Sequence, residues 1–136
     1  MCYISCVAWV VDFHADCEIW ADSLSPDDQE ALVAAIRVLR EFGPALGRPL
    51  VDTVKASKYK NMKELRPPSS GTSEIRVLFA FDPQRSAILL VGGDKQGAWS
   101  KWYLANIPMA DRRYAEHVRA LSSAKPESPG RNQRRK

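Results

Sequence analysis

The residues best suited to chemistry lie in a basic stretch near the middle of the 136-residue chain. Residues 48–66 contain six lysines and arginines against two acidic residues, Asp52 and Glu64. The cations are Arg48, Lys55, Lys58, Lys60, Lys63 and Arg66. Clustered cations neutralise phosphate groups and supply most of the sequence-independent affinity for nucleic acid. The stretch therefore predicts a polyanionic partner.

Two later cations and several aromatic residues strengthen this prediction. Arg76 and Lys95 follow the basic stretch. The aromatic residues close to these cations are Tyr59, Trp99, Trp102 and Tyr103. Aromatic rings stack on the splayed bases of single-stranded nucleic acid, at about 1–3 kcal/mol per base. The alternative to nucleic-acid binding is that the lysines only protect a solvated edge strand from aggregation and that the tryptophans belong to the core.

Other kinds of chemistry find little support in the sequence. His14 and His117 are far apart, and the three cysteines lack the Cys-x-x-Cys spacing of a metal site. Gly92 and Gly93 are not followed by the Lys-Ser/Thr pair of a phosphate-binding loop, and no serine nucleophile elbow is present. We therefore expect no metal ion and no cofactor.

The net charge of +4 says little about the site, because residues 125–136 alone carry five basic residues against one acidic residue. This segment also contains two prolines, which predicts a disordered basic tail after a domain at residues 1–124. An odd number of cysteines without paired spacing predicts a reducing, cytoplasmic location. The apolar run at residues 7–11 is too short for a membrane segment, and no basic segment precedes it as a signal peptide requires.

The order of predicted elements indicates how these residues are positioned. A run of strand-favouring residues predicts a buried strand at residues 7–12, and a short helix follows at about 15–24, with Ile19, Trp20 and Leu24 on one face. The next helix has Ser25 as N-cap and Pro26 at its first position, and it ends at Gly43. Its predicted apolar stripe consists of Leu32, Ala35, Ile36, Leu39 and Phe42.

The second half of the chain predicts three consecutive strands, at residues 61–65, 75–81 and 86–91, after an irregular basic segment. Residues 92–94 are expected to end the last strand, and a helix is expected at about 108–122. Lys63 and Leu65 then share one face of the first of these strands, while Glu64 and Arg66 share the other. The fold prediction is α+β: an N-terminal strand, two helices, then a mainly antiparallel sheet with a C-terminal helix, the helices packing on one face.

Three segments carry a resemblance to a known family. They are residues 46–66 (LGRPLVDTVKASKYKNMKELR), 75–83 (IRVLFAFDP) and 89–95 (LLVGGDK). Together they resemble the HigB-like, phage-derived branch of the RelE/ParE toxin superfamily, over about residues 7–121. The resemblance implies a RelE-like fold and a type II toxin that cleaves mRNA in the ribosomal A site. It also implies a helix-turn-helix antitoxin as partner, and contact with operator DNA only through the antitoxin complex.

The resemblance assigns roles to individual residues. Lys60 or Lys63 matches the general base, and Arg76 matches the arginine that holds the scissile phosphate. Lys95 matches a second phosphate-stabilising cation, and Tyr103 a tyrosine that stacks on or orients the substrate. The expected RNA contacts are Lys55, Lys58, Arg66 and Trp99. Several relatives place a catalytic histidine or tyrosine close after the last strand, and this chain has no histidine there, so the general acid is unassigned.

Two other functions compete with RNA cleavage. One is a ParE-like inhibitor that binds DNA gyrase without catalysis, and the other is a noncatalytic nucleic-acid-binding domain. RNA supplies its own nucleophile, the 2′-hydroxyl, so a metal-free nuclease needs a base, charge stabilisation and a proton donor. Converging cations can meet these needs, and they favour cleavage over inhibition by protein binding.

Overall fold

The computed structural model describes residues 8–68, 73–94 and 99–124. In chain order the elements are β1 (Val10–Phe13), α1 (Ala15–Asp22), α2 (Pro26–Phe42), a 3₁₀ turn (Gly43–Ala45), β2 (Val51–Thr53), β3 (Met62–Leu65), β4 (Ile75–Phe81), β5 (Ser86–Asp94) and α3 (Trp99–Ala124). No helix in the described part of the chain is long and apolar enough to cross a membrane.

The five strands form one sheet in the order β1-β5-β4-β3-β2. β1 pairs with β5 in parallel, and the other three pairings are antiparallel. This confirms the predicted α+β class with a mainly antiparallel sheet. In the β3–β4 register Leu65 is opposite Val77. Arg66 and Arg76 are the next residues beyond this pair on the two neighbouring strands.

The boundaries of α2 follow the predicted signals. The Ser25 hydroxyl accepts a hydrogen bond from the Asp28 N–H at 3.2 Å, and Pro26 occupies the first turn. Such a side-chain cap satisfies one of the backbone donors that every helix start leaves free. Gly43 ends the helix with a φ of 58°, which glycine tolerates because it has no Cβ.

Helices cover both faces of the sheet, so the prediction of helices on one face was wrong. One apolar cluster joins α1 and α2 to Val77 and Phe79 of β4. A second cluster joins α3 to Leu78 and Ala80 of the same strand. Because β4 is apolar on both faces, each face needs its own cover. The two faces are called here the α1/α2 face and the α3 face.

The structure adds a strand to the prediction. β2 (Val51–Thr53) lies at one edge of the sheet, within the segment expected to be irregular. Its three residues are too few to show a period of two. The pairing of Val51 with Leu65 creates the strand, and this partner is distant in sequence.

The C-terminal helix begins at Trp99, not near Pro108 as predicted, and Pro108 lies inside it. Proline removes one helical hydrogen bond and disfavours the helical conformation in the preceding residue, so it is normally a boundary signal. Here Trp102, Tyr103 and Ile107 pack against the second apolar cluster. This burial stabilises the first turns of α3 despite the proline.

The last strand continues through Gly92 and Gly93, which were expected to end it. A Cβ atom on Gly92 would lie 2.2 Å from Trp20, and one on Gly93 would lie 2.3 Å from Trp102. The two tryptophans belong to α1 and α3, which cover opposite faces of the sheet. The glycines therefore allow both helices to approach β5 closely.

Other expectations were met only in part. β1 begins at Val10, and residues 1–7 lie outside the described part of the chain, as does the predicted tail. Trp20 and Leu24 pack against the core, whereas Ile19 is 67% exposed and Phe42 is 51% exposed.

Cys17 has a free thiol whose burial raises its pKa to about 12.

We predict that Gly92→Ala destabilises the fold by about 1–3 kcal/mol, because the added methyl group would displace the Trp20 ring. Urea unfolding measures the difference. Gly47→Ala is the matched control, since no atom lies within 4 Å of a Cβ there. That substitution should be neutral or stabilising by up to about 1 kcal/mol. Equal stability of the two variants would contradict the close approach of α1 to β5.

Candidate nucleic-acid site

The centre of the site is a buried carboxylate between the sheet and α3. Glu64 of β3 is 3% exposed and lies on the α3 face, as its pairing with Leu78 requires. Its Oε2 accepts a hydrogen bond from the Tyr103 hydroxyl, and its Oε1 accepts one from Arg66 Nε at 3.0 Å. The alternation of β3 and the start of α3 thus bring together three side chains, of which Arg66 and Tyr103 were predicted site residues.

Arg66 is also paired with the neighbouring edge strand. Its Nη2 lies 3.2 Å from Asp52 Oδ2, and the same oxygen receives Arg48 Nη2 at 3.2 Å. The pKa of Asp52 is lowered, first by the hydrogen bond from Arg48 and next by the backbone N–H of Thr53. Asp52 and Glu64 together therefore orient the Arg66 guanidinium from two strands.

Arg76 presents a hydrogen-bond donor with no described acceptor. Its Nη1 donates to its neighbour's carbonyl, Ile75 O, at 2.9 Å. Its Nε is buried and, among residues 8–68, 73–94 and 99–124, it has no hydrogen-bond partner. The Nε atom is out of reach of solvent, but the positive charge of the Arg76 guanidinium acts on the Tyr103 hydroxyl.

The Tyr103 hydroxyl has a perturbed acidity. Its pKa is raised, primarily because the group is desolvated and also because Glu64 accepts its hydrogen bond and places a negative charge beside it. The positive charges of Arg76 and Arg66 act in the opposite direction but do not cancel these effects. Tyr103 therefore keeps its proton at neutral pH and donates it in the hydrogen bond to Glu64.

The basic loop at residues 55–61 is fastened to α3. Asp111 is 7% exposed and accepts a hydrogen bond from the Ser57 hydroxyl and another from the Lys58 N–H, the latter at 3.2 Å. The Tyr59 ring packs edge-on against Tyr114, with 4.9 Å between ring centroids. These contacts hold the loop beside the helix that carries Tyr103.

The predicted site residues are distributed unevenly. Lys55, Lys58 and Lys60 are exposed on the fastened loop. Lys63 alternates with Glu64, so it lies on the α1/α2 face, and the structure does not bring it to Arg76 and Tyr103. Lys95 and the Trp99 side chain lie outside the described part of the structure.

Glu64 and Asp111 were missed as site residues because carboxylates in a cationic site are not expected from composition. Glu64 had one available signal, since the alternation of β3 placed it on the same face as Arg66. Asp111 had no local signal, because its partners Ser57 and Lys58 lie more than fifty residues earlier.

An open groove adjoins the cluster along one side of α3. It has a volume of about 520 Å³ and is lined by Ala56, Ser100, Tyr103, Leu104, Ile107 and Pro108. Leu104 is 77% exposed. A second groove continues along α3 past Asp111 and is bordered by Lys58, Arg112 and Arg119. Together the grooves form a path from the cluster along the basic loop.

The two histidines make their contacts away from this cluster. His117 Nε2 lies 2.8 Å from Asp82 Oδ2, and His14 caps α1 by accepting a hydrogen bond from the Asp16 N–H. Within the described ranges, no three His, Cys, Asp or Glu side chains are arranged to hold a metal ion.

The fold is similar to that of the toxin RelE. A structure of a mutant of the Escherichia coli toxin RelE in the free state matches with a TM-score of 0.54. The match covers 82% of this chain and 98% of that chain, at 11% sequence identity, so it bears on the fold alone. The model of the family "Phage derived protein Gp49-like" matches residues 19–115, and the chain belongs to this HigB-like branch of the RelE/ParE superfamily.

Two Mycobacterium tuberculosis proteins are similar in sequence. "Putative toxin HigB2" is 50% identical over 131 residues, which are 92% of this chain and 65% of that protein. "Putative toxin HigB3" is 56% identical over 96 residues, which are 71% of this chain and 82% of that protein. The chain thus spans less than two thirds of the length of the first relative.

We predict that Asp111→Ala releases the basic loop. The loss of two hydrogen bonds at a buried position should reduce stability by about 1–3 kcal/mol. Amide hydrogen exchange at residues 55–61 should accelerate more than in the rest of the chain, because this local contact is lost. Glu116→Ala, at an exposed position of the same helix, is the control and should leave exchange in the loop unchanged. A uniform acceleration across the chain would argue against a specific fastening.

Proposed function

We propose that this protein is the toxin of a type II toxin-antitoxin system and that it cleaves mRNA on the ribosome. The observation that carries the proposal is the convergence of Arg66, Arg76 and Tyr103 on the α3 face, beside the fastened basic loop. Membership of the HigB-like branch supports the same function. The family relation also supports a helix-turn-helix antitoxin as partner.

The reaction uses the 2′-hydroxyl of RNA as the nucleophile, so it needs no metal. The oxygen attacks the adjacent phosphorus, the bond to the 5′-oxygen of the next nucleotide breaks, and a 2′,3′-cyclic phosphate forms. Negative charge builds up on the phosphate oxygens in the transition state, where fixed cations are most effective. Arg76 supplies this stabilisation in the proposal, because its positive charge lies close enough to Tyr103 to affect the acidity of that hydroxyl.

Tyr103 orients the substrate in this proposal, which is the role that the family match implies. It is not the general acid, because its single hydroxyl proton is already donated to the Glu64 carboxylate. The leaving 5′-oxygen takes its proton from water, and the positive charges of Arg66 and Arg76 beside Tyr103 stabilise that oxygen as it departs.

Lys60 is the general base in this proposal. Of the two lysines that match the family's base, Lys60 lies on the loop beside α3, whereas Lys63 lies on the opposite face of the sheet. Lys95 remains the second phosphate-stabilising cation of the proposal.

The RNA strand is proposed to follow the grooves along α3. Lys55 and Lys58 contact phosphates from the loop, and Trp99 offers a ring for stacking. On the ribosome these exposed lysines also meet ribosomal RNA. Trp102 is less suited to stacking, because it packs over Gly93 and against Tyr103, at 5.2 Å between ring centroids.

We predict that Arg76→Ala lowers the rate of ribosome-dependent mRNA cleavage by about 10²–10³-fold, because it removes one fixed donor from the charged transition state. Primer extension on mRNA bound to purified ribosomes measures the cut. Arg37→Ala, on the exposed side of α2, is the control and should cleave normally. Full activity of a folded Arg76→Ala variant would contradict the assignment of the site.

Expression in cells separates the competing functions. Growth arrest with mRNA cut within codons supports the proposal. Arrest with intact mRNA and damaged DNA would instead indicate a ParE-like gyrase inhibitor. Binding of RNA without arrest or cleavage would indicate a noncatalytic nucleic-acid-binding domain.

A further inference from the structure

Glu64 is a buried carboxylate that has no role in the proposed reaction. It is 3% exposed, and its charge lies within a cluster proposed to bind an anion. A negative charge at this place repels phosphate, so it should weaken RNA binding. A carboxylate that weakens RNA binding must contribute something else to the site.

We propose that Glu64 is a positioning residue that fixes Tyr103 and Arg66 for cleavage while weakening the affinity for RNA. The inference rests on the proposed function, because the two side chains that Glu64 holds are those proposed to act on RNA. It adds a residue that none of the sequence-based assignments included.

The hydrogen bonds show how one side chain positions both groups. Each carboxylate oxygen has its own partner: Oε1 accepts from Arg66 Nε, and Oε2 accepts from the Tyr103 hydroxyl. Glu64 belongs to β3, whose neighbours on both sides hold it in register. Tyr103 belongs to α3. The carboxylate therefore fixes Tyr103 of α3 relative to Arg66, which follows β3.

The same geometry argues against Glu64 as the general base. A base must reach the proton it removes, either directly or through one water molecule. Both oxygens of Glu64 already accept hydrogen bonds within the protein, and almost none of the residue is exposed. Glu64 acts through Tyr103 and Arg66 instead of touching the RNA.

In a variant with a neutral side chain, the loss of charge and the loss of positioning should have opposite effects on RNA affinity and on cleavage. Glu64→Gln keeps the size of the side chain and one acceptor oxygen but removes the negative charge. The cluster then becomes more positive, and Arg66 has one fewer carboxylate as competitor for phosphate. At the same time Tyr103 loses its charged acceptor, so its hydroxyl is held less firmly. A merely structural role of Glu64 would not separate the two effects.

The first experiment measures RNA affinity and the cleavage rate separately. We expect Glu64→Gln to bind a single-stranded RNA oligonucleotide roughly 3–10-fold more tightly. We expect single-turnover cleavage on ribosomes to be about 10–100-fold slower, because Tyr103 and Arg66 are less well oriented towards the RNA. Asp28→Asn is the matched control, since Asp28 is a similarly buried carboxylate on α2 that accepts a hydrogen bond from Ser73. It should change neither quantity.

A second variant covers the case in which the glutamine variant is poorly folded. Glu64→Asp retains the charge but shortens the side chain, so it cannot reach both partners. Its RNA affinity should stay near that of the unchanged protein, whereas its cleavage should be slowed. Loss of affinity and rate in parallel, or no change in either, would overturn the proposal.

A measurement without RNA distinguishes failure of this inference from failure of the proposed function. The hydroxyl proton of Tyr103 is followed by NMR at neutral pH, with Tyr103→Phe identifying its signal. In Glu64→Gln this proton should exchange faster with water, because it loses its charged acceptor. An unchanged exchange rate would refute the positioning role. If the exchange accelerates and affinity rises but the unchanged protein cleaves no RNA, the proposed function fails alone.

Discussion

The candidate site depends on the register of β3 between β2 and β4. Successive residues of a strand point to opposite faces, so the register sends Glu64 towards α3 and Leu65 towards α1 and α2. A slip by one residue would exchange the two faces. It would bury Lys63 beneath α3 and remove Glu64 from Tyr103. Such a slip is costly because the buried Glu64 carboxylate would lose its hydrogen bonds to Arg66 and Tyr103.

The cluster also depends on how closely α3 approaches the sheet. Gly93 leaves room for Trp102, and the adjacent residue, Tyr103, then reaches the buried carboxylate of Glu64. A buried charge is tolerated only when it is paired and hydrogen-bonded. The contacts of Glu64 with Tyr103 and Arg66 meet that requirement. The groups that stabilise the charge inside the fold are the same groups that the proposed reaction uses.

The elements with strong local signals could be predicted from the sequence. Ser25, Pro26 and Gly43 define the limits of α2, because caps and backbone freedom act within a few residues. The strand predicted at residues 75–81 has the same bounds as β4. The chemical character of the site was also visible, because the charges of residues 48–66 and of Arg76 are independent of the fold.

The tertiary structure decided which of these residues meet. The sequence by itself determined the kinds of side chain and the local elements, since both depend on near neighbours. Tertiary packing sets the start of α3 at Trp99, because burial of Trp102 and Tyr103 outweighs the tendency of Pro108 to mark a helix boundary. Only the packed fold separated Lys63 from the cluster and placed Glu64 within it. The physical reason is that these outcomes depend on contacts between distant segments, which leave no local pattern in the chain.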